Sequence, residues 1–310
     1  MRVRAGWERG WCRRLCLFCS SLRQRLVDDT MSEKSSPSPS GATPWFRVVA
    51  VTLGVAVVAV LTVNVGMTAA LVRQQRSDAR ERNFWVLCQP GFSLRERETA
   101  FRSLVAVGNR EWRAADVGGL NLAGWALPGA DLQFAQFLRA NLAGADLTGA
   151  KLNGGSLELA DLTNAGFSDA EMVEMRLLQA VLRGAVLRGA KLRACRMAQI
   201  EAENADFSVA DLADADLVMA NLTGARLIGT NFAGAKLASA VFKGANLSLA
   251  RFEGADLTDA DFTDANWWTA RGLTTKQLAM LKAKFPPTAA APQALREDFA
   301  RWAEVPLPSQ

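Results

Sequence analysis

Residues 140–164 read ANLAG ADLTG AKLNG GSLEL ADLTN, five pentapeptides with leucine third and, in four of the five, alanine first. Steps of five from Val117 to Trp267 give 31 third positions, and the residue two before is alanine in 24 of them. Leucine is the commonest third residue, and no insertion breaks the register. The sequence therefore repeats every five residues over about half of its length.

A period of five matches neither the 3.6 residues of an α-helix turn nor the two-residue alternation of a strand. The chain must therefore turn once in each repeat. If each pentapeptide forms one side of a square, four repeats close a coil of 20 residues, with the third residues and the alanines pointing inward. Coils stacked at the spacing of β-strands, roughly 4.8 Å, would form a rod of about eight coils, roughly 37 Å long.

Pentapeptides such as 140–144 (ANLAG) and 255–259 (ADLTD) resemble the pentapeptide repeat family. The resemblance implies an all-β solenoid, a right-handed quadrilateral β-helix with the central Leu or Phe and the small Ala packed inside. One repeat exchanges the two sizes, with Ile200 at the small position and Ala202 at the centre. Because the total volume is nearly kept, this exchange agrees with two inward positions per side.

We place the repeats at 115–271. The segments on both sides of them are predicted to be helical caps. Within 73–114, Ser93 and Glu96 form a capping box before an expected helix over 94–107, which Gly108 ends. Within 272–310, Thr274 and Gln277 repeat that signature, and Pro286 stops the helix. Apolar side chains near this end are interpreted as cap packing in preference to a partner site: Trp267, Trp268, Leu295, Phe299 and Trp302.

Residues 48–72 contain no charged residue, and 25 apolar or mildly polar residues can cross a bilayer as a helix. We expect one retained transmembrane helix here, bracketed by Arg47 and Arg73; a cleavable signal peptide is the alternative. The localisation expected is single-pass in a bacterial inner membrane. Arginines just after the span favour a cytoplasmic rod, whereas counting the arginines of residues 1–47 reverses that preference.

The segment before the span, residues 1–47, is basic, contains Ser and Pro, and is predicted to be disordered. Its first 30 residues differ in composition from the rest, and Met31 is an alternative start of translation. The closely spaced Cys12, Cys16 and Cys19 lack the second ligand pair of a zinc site.

The net charge of +5 comes from the flanks, because residues 115–271 contain 13 Lys/Arg and 19 Asp/Glu, a net charge of −6. A rod of that charge is not expected to bind nucleic acid. Two charged groups are adjacent in sequence and are interpreted first as solvated surface and second as a partner site. The basic group comprises Arg176, Arg183, Arg188, Lys191, Arg193 and Arg196, and the acidic group Glu201, Glu203, Asp206, Asp211, Asp214 and Asp216.

The composition argues against catalysis, because the sequence contains neither His nor Tyr. This removes the commonest general base and the commonest metal ligand. Cys195 is interpreted as a core residue and Cys88 as part of the linker. Asp214 and Asp216 reflect the polar outward positions of the repeat and not an acid/base pair. We therefore predict no catalytic, cofactor-binding or metal-binding residue, no cofactor and no small-molecule substrate.

The function predicted first is a non-enzymatic, membrane-anchored scaffold. It would be anchored in the membrane through residues 48–72 and would present a rigid rod to a protein partner that the sequence does not identify. The alternative follows from the resemblance, since some family members imitate DNA with an acidic rod and bind type II topoisomerases.

Overall fold

Parallel β-bridges join residues twenty positions apart, from the pair Glu111 and Asp131 to the pair Arg251 and Arg271. The computed structural model describes residues 44–89, 91–106, 108–109 and 111–305, with the side chains of 44–61 outside that description. Each coil contains four sides of five residues, so the predicted quadrilateral β-helix is confirmed. Residues such as Lys151, Glu171 and Lys191 therefore stack in one column, at the predicted register.

Three backbone hydrogen bonds hold each side to the next coil, one of them from the Gly144 N–H to the Thr163 carbonyl at 2.8 Å. The Leu142 N–H donates to the Asp161 carbonyl at 2.7 Å, and the Asp161 N–H donates to the Ala140 carbonyl at 3.0 Å. The chain turns immediately after each such pair. The bridges are therefore single residues, and the described part of the rod contains no extended strand.

A four-residue turn ends each side of the square. In a representative turn, the Ala145 N–H donates to the Leu142 carbonyl at 2.9 Å, and the third residue, Gly144, has a φ of 65°. Positive φ at that position is the signature of a type II turn, which normally requires glycine or asparagine there. Third turn residues occur every five residues from 114 to 264, and all have positive φ: 13 are glycine and 18 are not.

The polar second residue of many repeats stabilises the turn that follows it. The Asp256 carboxylate accepts hydrogen bonds from the Thr258 N–H at 3.0 Å and the Thr258 hydroxyl at 2.7 Å. The Thr258 hydroxyl, and then its N–H, lower the pKa of Asp256. The same arrangement joins Asp146 to Thr148 and lowers the pKa of that aspartate. This explains why Asp or Asn so often stands two residues before Ser or Thr in the motif.

The bore of the rod contains one large and one small side chain per side. Leu182 and Ala180 are completely buried, and the exchanged pair Ile200 and Ala202 is equally inaccessible. Polar residues that replace alanine at the small position form hydrogen bonds. The Cys195 thiol donates to the Met172 carbonyl at 2.8 Å. The Thr230 hydroxyl likewise donates to the Phe207 carbonyl at 2.8 Å. Both therefore fit inside without leaving a buried polar group unsatisfied.

Phenylalanines fill the bore of the last coils. Phe232 stacks on Phe252 with ring centroids 5.2 Å apart, and Phe242 stacks on Phe262 at 4.9 Å. Each pair is separated by one coil, so the ring spacing follows the spacing of the rungs. Edge-to-face contacts join the two stacks across the bore. This aromatic core makes large apolar contacts directly beneath the C-terminal cap.

The N-terminal cap consists of the end of helix α1 (Pro44–Cys88) and helix α2 (Leu94–Ala106). The predicted capping box is present, because Ser93 and Glu96 hydrogen-bond each other's backbone N–H. Phe101 of α2 packs on Trp112 in the first coil with ring centroids 4.6 Å apart. The Leu87 carbonyl of α1 accepts the Asp116 N–H at 2.9 Å. Both helices therefore cover the first coil, one with side chains and one with backbone.

The C-terminal cap contains a 3₁₀ helix (Trp267–Thr269), helix α3 (Thr275–Lys284) and helix α4 (Gln293–Ala303). The predicted box of Thr274 and Gln277 begins α3. The Trp267 indole N–H donates to the Phe285 carbonyl at 3.0 Å, and that of Trp268 to Asp298 at 2.8 Å. Leu295, Phe299 and Trp302 pack against the same core. The tryptophans and the apolar face of α4 thus lie in the cap.

The chain divides into two units, Met1–Val72 and Arg73–Gln310. In the first, residues 44–72 are helical; helix α1 continues from there to Cys88. Within the part of the chain that was searched, no helix combines the length and apolar character needed to cross a bilayer.

This finding contradicts the predicted transmembrane helix over 48–72. The predicted localisation, a single-pass protein of a bacterial inner membrane with a cytoplasmic rod, is corrected with it. Predictions about residues 1–43 fall outside the described residues. They include the alternative start at Met31, the disordered character of the segment and the thiols of Cys12, Cys16 and Cys19.

The inward positions can be tested with Leu182→Asp. This variant places an unpaired carboxylate in the bore, and we expect a loss of stability on the order of 4 kcal/mol. Thermal unfolding followed by circular dichroism measures it.

A matched control is Leu178→Asp, four residues earlier, where the side chain is 42% exposed. We expect this variant to melt within a few degrees of the parent protein. Equal melting of both variants would show that the inward and outward positions are assigned wrongly.

Candidate protein-interaction surface

The described residues offer no constellation typical of catalysis. Asp214 pairs with Arg193 at 3.2 Å, whereas the Asp216 carboxylate accepts the Val218 N–H at 3.2 Å. The two neighbouring carboxylates therefore serve separate contacts. No three His, Cys, Asp or Glu side chains in this part of the chain are grouped as metal ligands.

Open clefts lie beside the caps. One cleft of 610 Å³ lies between the end of α1 and the first coil. Its Arg80 guanidinium donates to the Asn109 amide oxygen at 2.7 Å, and the Asn109 amide donates to the Glu111 carbonyl at 2.7 Å. These polar groups bind each other and hold the cap in place, so we assign the cleft a structural role.

The predicted basic group is largely neutralised in the structure. Arg176 pairs with Glu158 at 3.0 Å, Arg183 with Glu201 at 2.5 Å, Lys191 with Glu171 at 3.0 Å and Arg193 with Asp214 at 3.2 Å. The hydrogen bond and charge of Lys191 lower the pKa of Glu171. Exposed pairs of this kind contribute about 0–1 kcal/mol each. The basic and acidic groups therefore form a surface on which positive and negative charges largely cancel, and not a site of one charge.

One edge of the rod has the longest run of turn residues without charge. It is formed by the second and third residues of the turns that share one corner of the square. After Glu158, which pairs with Arg176, it carries no charge from Leu159 to Ser239. We call this the uncharged edge. Its members are Leu159, Leu178, Gln179, Ala198, Gln199, Val218, Met219, Ala238 and Ser239.

Large apolar side chains of this edge face solvent. Leu159 is 41% exposed, Leu178 is 42% and Met219 is 56%, and Leu138 continues the row at 46% in the coil before. Between them, the Gln179 amide donates to the Gln199 amide oxygen at 2.7 Å. Scattered exposed leucines are ordinary, but a continuous uncharged row on a monomer is a candidate interaction surface.

The backbone of the same edge is strained. Its third turn residues all carry side chains from Arg139 to Asp259, whereas glycine recurs at each of the other three corners. Leu159 and Met219 both have a φ of 59°. A left-handed conformation costs an L-residue about 1–2 kcal/mol relative to glycine. Val209 and Leu249, each with a φ of 61°, combine exposure with positive φ at another corner, so the long run without charge is what distinguishes the uncharged edge.

The family model for pentapeptide repeats matches the chain in eight copies. The matched segments are 127–164, 140–174, 160–199, 199–227 and 225–264. The chain belongs to the pentapeptide repeat family. Its rod is therefore the right-handed quadrilateral β-helix of that family, as the sequence predicted.

Solved structures include several pentapeptide repeat proteins similar to this chain. One from Nostoc PCC 7120 is 34% identical, covering 34% of this chain and 85% of its own, with a TM-score of 0.30. HetL, involved in heterocyst differentiation regulation in Nostoc sp. strain PCC 7120, is 30% identical. The match covers 56% of this chain and 95% of HetL, with a TM-score of 0.21. QnrB1, a plasmid-mediated fluoroquinolone resistance protein, is 18% identical. The match covers 64% of this chain and 100% of QnrB1, with a TM-score of 0.31. The comparison with curated proteins gives no match.

The uncharged edge of this pentapeptide repeat protein was missed in the sequence. Its signal was present, because Leu159 and Met219 occupy third turn positions where the motif prefers Gly, Asn or Asp. Read along the chain, they are isolated apolar residues separated by 60 positions. Only the twenty-residue coil shows that they belong to one row.

The strain at the uncharged edge can be measured with Met219→Asn. Asparagine tolerates the left-handed conformation better than methionine, so we expect a stability gain of about 1 kcal/mol and a higher melting temperature. The control is Val218→Asn, since Val218 does not have positive φ. A gain in both variants, or in neither, would contradict the assigned strain.

Cys195 provides a second test in the rod. Burial raises the pKa of its thiol to about 12. With the cysteines at 12, 16, 19 and 88 replaced by serine, we expect no labelling of native Cys195 by a thiol reagent between pH 7 and pH 9. Labelling should become complete when the rod is unfolded in denaturant. Rapid labelling of the folded protein would place Cys195 outside the bore.

Proposed function

We propose that this protein is a non-enzymatic scaffold whose β-helical rod binds a protein partner along the uncharged edge. The observation that carries the proposal is the uncharged run of corner residues with the exposed side chains of Leu159, Leu178 and Met219, of which Leu159 and Met219 have positive φ. Neither the fold nor the core requires these residues, because glycine occupies the equivalent position at many other turns. Both their exposure and their conformation are unfavourable for an isolated rod.

Rigidity makes the rod a suitable scaffold. Bridges join every pair of coils through regular backbone hydrogen bonds, and the bore is filled by buried side chains. A partner that binds several coils at once therefore meets a surface already ordered in the free protein. The entropic cost of ordering that surface on binding is correspondingly small.

The chemistry of the chain supports a binding role over an enzymatic one. The sequence contains neither His nor Tyr, and Cys195 is enclosed in the bore. Many carboxylates of the rod take part in turns or ion pairs, as at Asp256 and Glu171. The proposed function therefore involves no cofactor and no small-molecule substrate.

The alternative partner, a type II topoisomerase bound by a DNA-like rod, finds less support on this surface. A DNA mimic needs a continuous acidic face, whereas the rod interleaves its carboxylates with Arg176, Arg183 and Arg193. The uncharged edge has no counterpart in the phosphate backbone of DNA. The net charge of −6 over residues 115–271 remains the feature in favour of this alternative.

Site-specific photocrosslinking in the cells that make the protein tests the proposed function. A photoreactive phenylalanine derivative would replace Leu178 or Met219 on the uncharged edge, and Arg188 or Lys243 on other edges as controls. We expect adducts with another protein at the first two positions only, detected by a mass shift and identified by mass spectrometry. Adducts at all four positions, or at none, would argue against a binding role for this edge.

A further inference from the structure

We propose that helix α1, where it passes the end of helix α2, holds a binding site for a phosphate group, formed by Arg73, Arg76 and Ser77. Three observations point to this site: a cleft lined by cations without carboxylates, hydrogen-bond donors without partners, and repulsion between arginines on one face of α1.

A second cleft, of 570 Å³, adjoins the cleft of 610 Å³ at the N-terminal cap. Its described lining consists of three arginines, a serine and an alanine: Arg73, Arg76, Arg80, Ser77 and Ala106. None of these residues is a carboxylate. The cleft therefore combines a strongly positive lining with room for a small ligand.

The three arginines lie on one face of α1. Successive residues of an α-helix are about 100° apart, so Arg73, Arg76 and Arg80 fall within an arc of about 60°. Like charges at spacings of three and four repel each other and destabilise the helix. Asp78 lies at least about 140° around the helix from all three, so it does not offset the repulsion. A bound anion would offset it.

One of these arginines belongs mainly to the adjoining cleft. The Arg80 guanidinium donates to the Asn109 amide oxygen at 2.7 Å and lies 3.9 Å from the Glu111 carboxylate. Glu81 lines that adjoining cleft as well. Arg73 and Arg76 therefore provide the free positive charge of the second cleft.

The donors of the second cleft have no partners. Within the described part of the chain, Arg73 and Arg76 form neither a hydrogen bond nor an ion pair. The Ser77 hydroxyl is equally free there, although a helical hydroxyl can donate to the carbonyl four residues before, as Ser103 does to Thr99 at 2.8 Å. The site thus presents two guanidiniums and a hydroxyl to a ligand.

The surroundings of the cleft favour an anion. Residues 73–114 contain nine arginines and five Asp or Glu residues, a net charge of +4, whereas residues 115–271 have a net charge of −6. At the end of α2, the Leu104 and Val105 carbonyls accept the Asn109 and Gly108 N–H groups at 3.0 and 2.8 Å. These carbonyls therefore do not hold the arginines.

A phosphate monoester matches these donors better than a carboxylate does. It carries about 1.5 to 2 negative charges at pH 7, close to the two free positive charges, and it has three terminal oxygens. The planar fork of arginine binds such oxygens in pairs. Arg73, Arg76 and Ser77 lie within about one helical turn, so they can donate to oxygens that point in different directions. A carboxylate offers only two oxygens in one plane.

Isothermal titration calorimetry of the full-length protein with inorganic pyrophosphate tests the site. Citrate, a carboxylate anion of similar charge, is the comparison ligand. The test variant Arg73→Gln/Arg76→Gln removes the two free cations of the cleft. The control Arg188→Gln/Lys243→Gln removes two cations of the rod that form no ion pair with a described residue, so both variants change the net charge equally. Circular dichroism confirms that each variant is folded.

We expect pyrophosphate to bind the parent protein and the control variant with equal dissociation constants. In Arg73→Gln/Arg76→Gln the dissociation constant should rise by roughly tenfold or more, and citrate should bind the parent protein more weakly than pyrophosphate. No binding of pyrophosphate to the parent, equal weakening in both variants, or citrate binding as tightly as pyrophosphate would overturn the phosphate site.

Two further probes distinguish the sources of the phosphate group. Glycerol 3-phosphate represents a free phosphate ester, and its water-soluble dihexanoyl ester represents a lipid headgroup. Equal binding of the two, lost in Arg73→Gln/Arg76→Gln, supports a site for the phosphate of a free ester. Tighter binding of the dihexanoyl ester, lost in the same variant, supports the site with a lipid as the source. Binding of either probe that persists in this variant counts against the site.

Discussion

The turn after every fifth residue is the constraint on which the whole structure depends. It forces a left-handed residue into each side of the coil, because a type II turn has positive φ at its third position. It also limits each β-bridge to one residue and brings residues 20 apart into register. Stability then comes from many small identical units, each bonded to the coils above and below. In such a solenoid, neighbouring coils supply most of the stabilising contacts.

The same turn explains why side chains on the edges of the rod are informative. Glycine, asparagine or aspartate satisfies the third turn position with little strain, and the chain uses them at many turns. Where Leu159 and Met219 stand instead, the rod accepts a less favourable backbone and exposes apolar area. Both the strained backbone and the exposed apolar area are unfavourable for the rod alone. A contact with another molecule explains them more simply.

Charge is arranged differently from apolar area in this rod. Most arginines of the central coils find carboxylates in adjacent coils, as Arg183 does with Glu201 and Glu203. This pairing turns two blocks of opposite charge in the sequence into a mixed surface. Seven of the 13 Lys and Arg residues of 115–271 form no ion pair with a carboxylate of the described residues, and they are spread around the rod, as Arg188, Arg196 and Lys243 show.

The sequence by itself determined the period, the coil of four sides, the inward positions and both capping boxes. These depend on neighbours within a few residues and on one repeat length, so Leu182, Ala180 and Thr274 could be assigned without coordinates. The tertiary structure alone decided which outward residues meet. Leu138, Leu159, Leu178 and Met219 form one row only after the coil has brought distant residues to one corner. It also decided that Arg183 and Glu201 neutralise each other, since that contact joins successive coils. Side-chain pairing of this kind is set by the stacking of coils and has no local signature in the sequence.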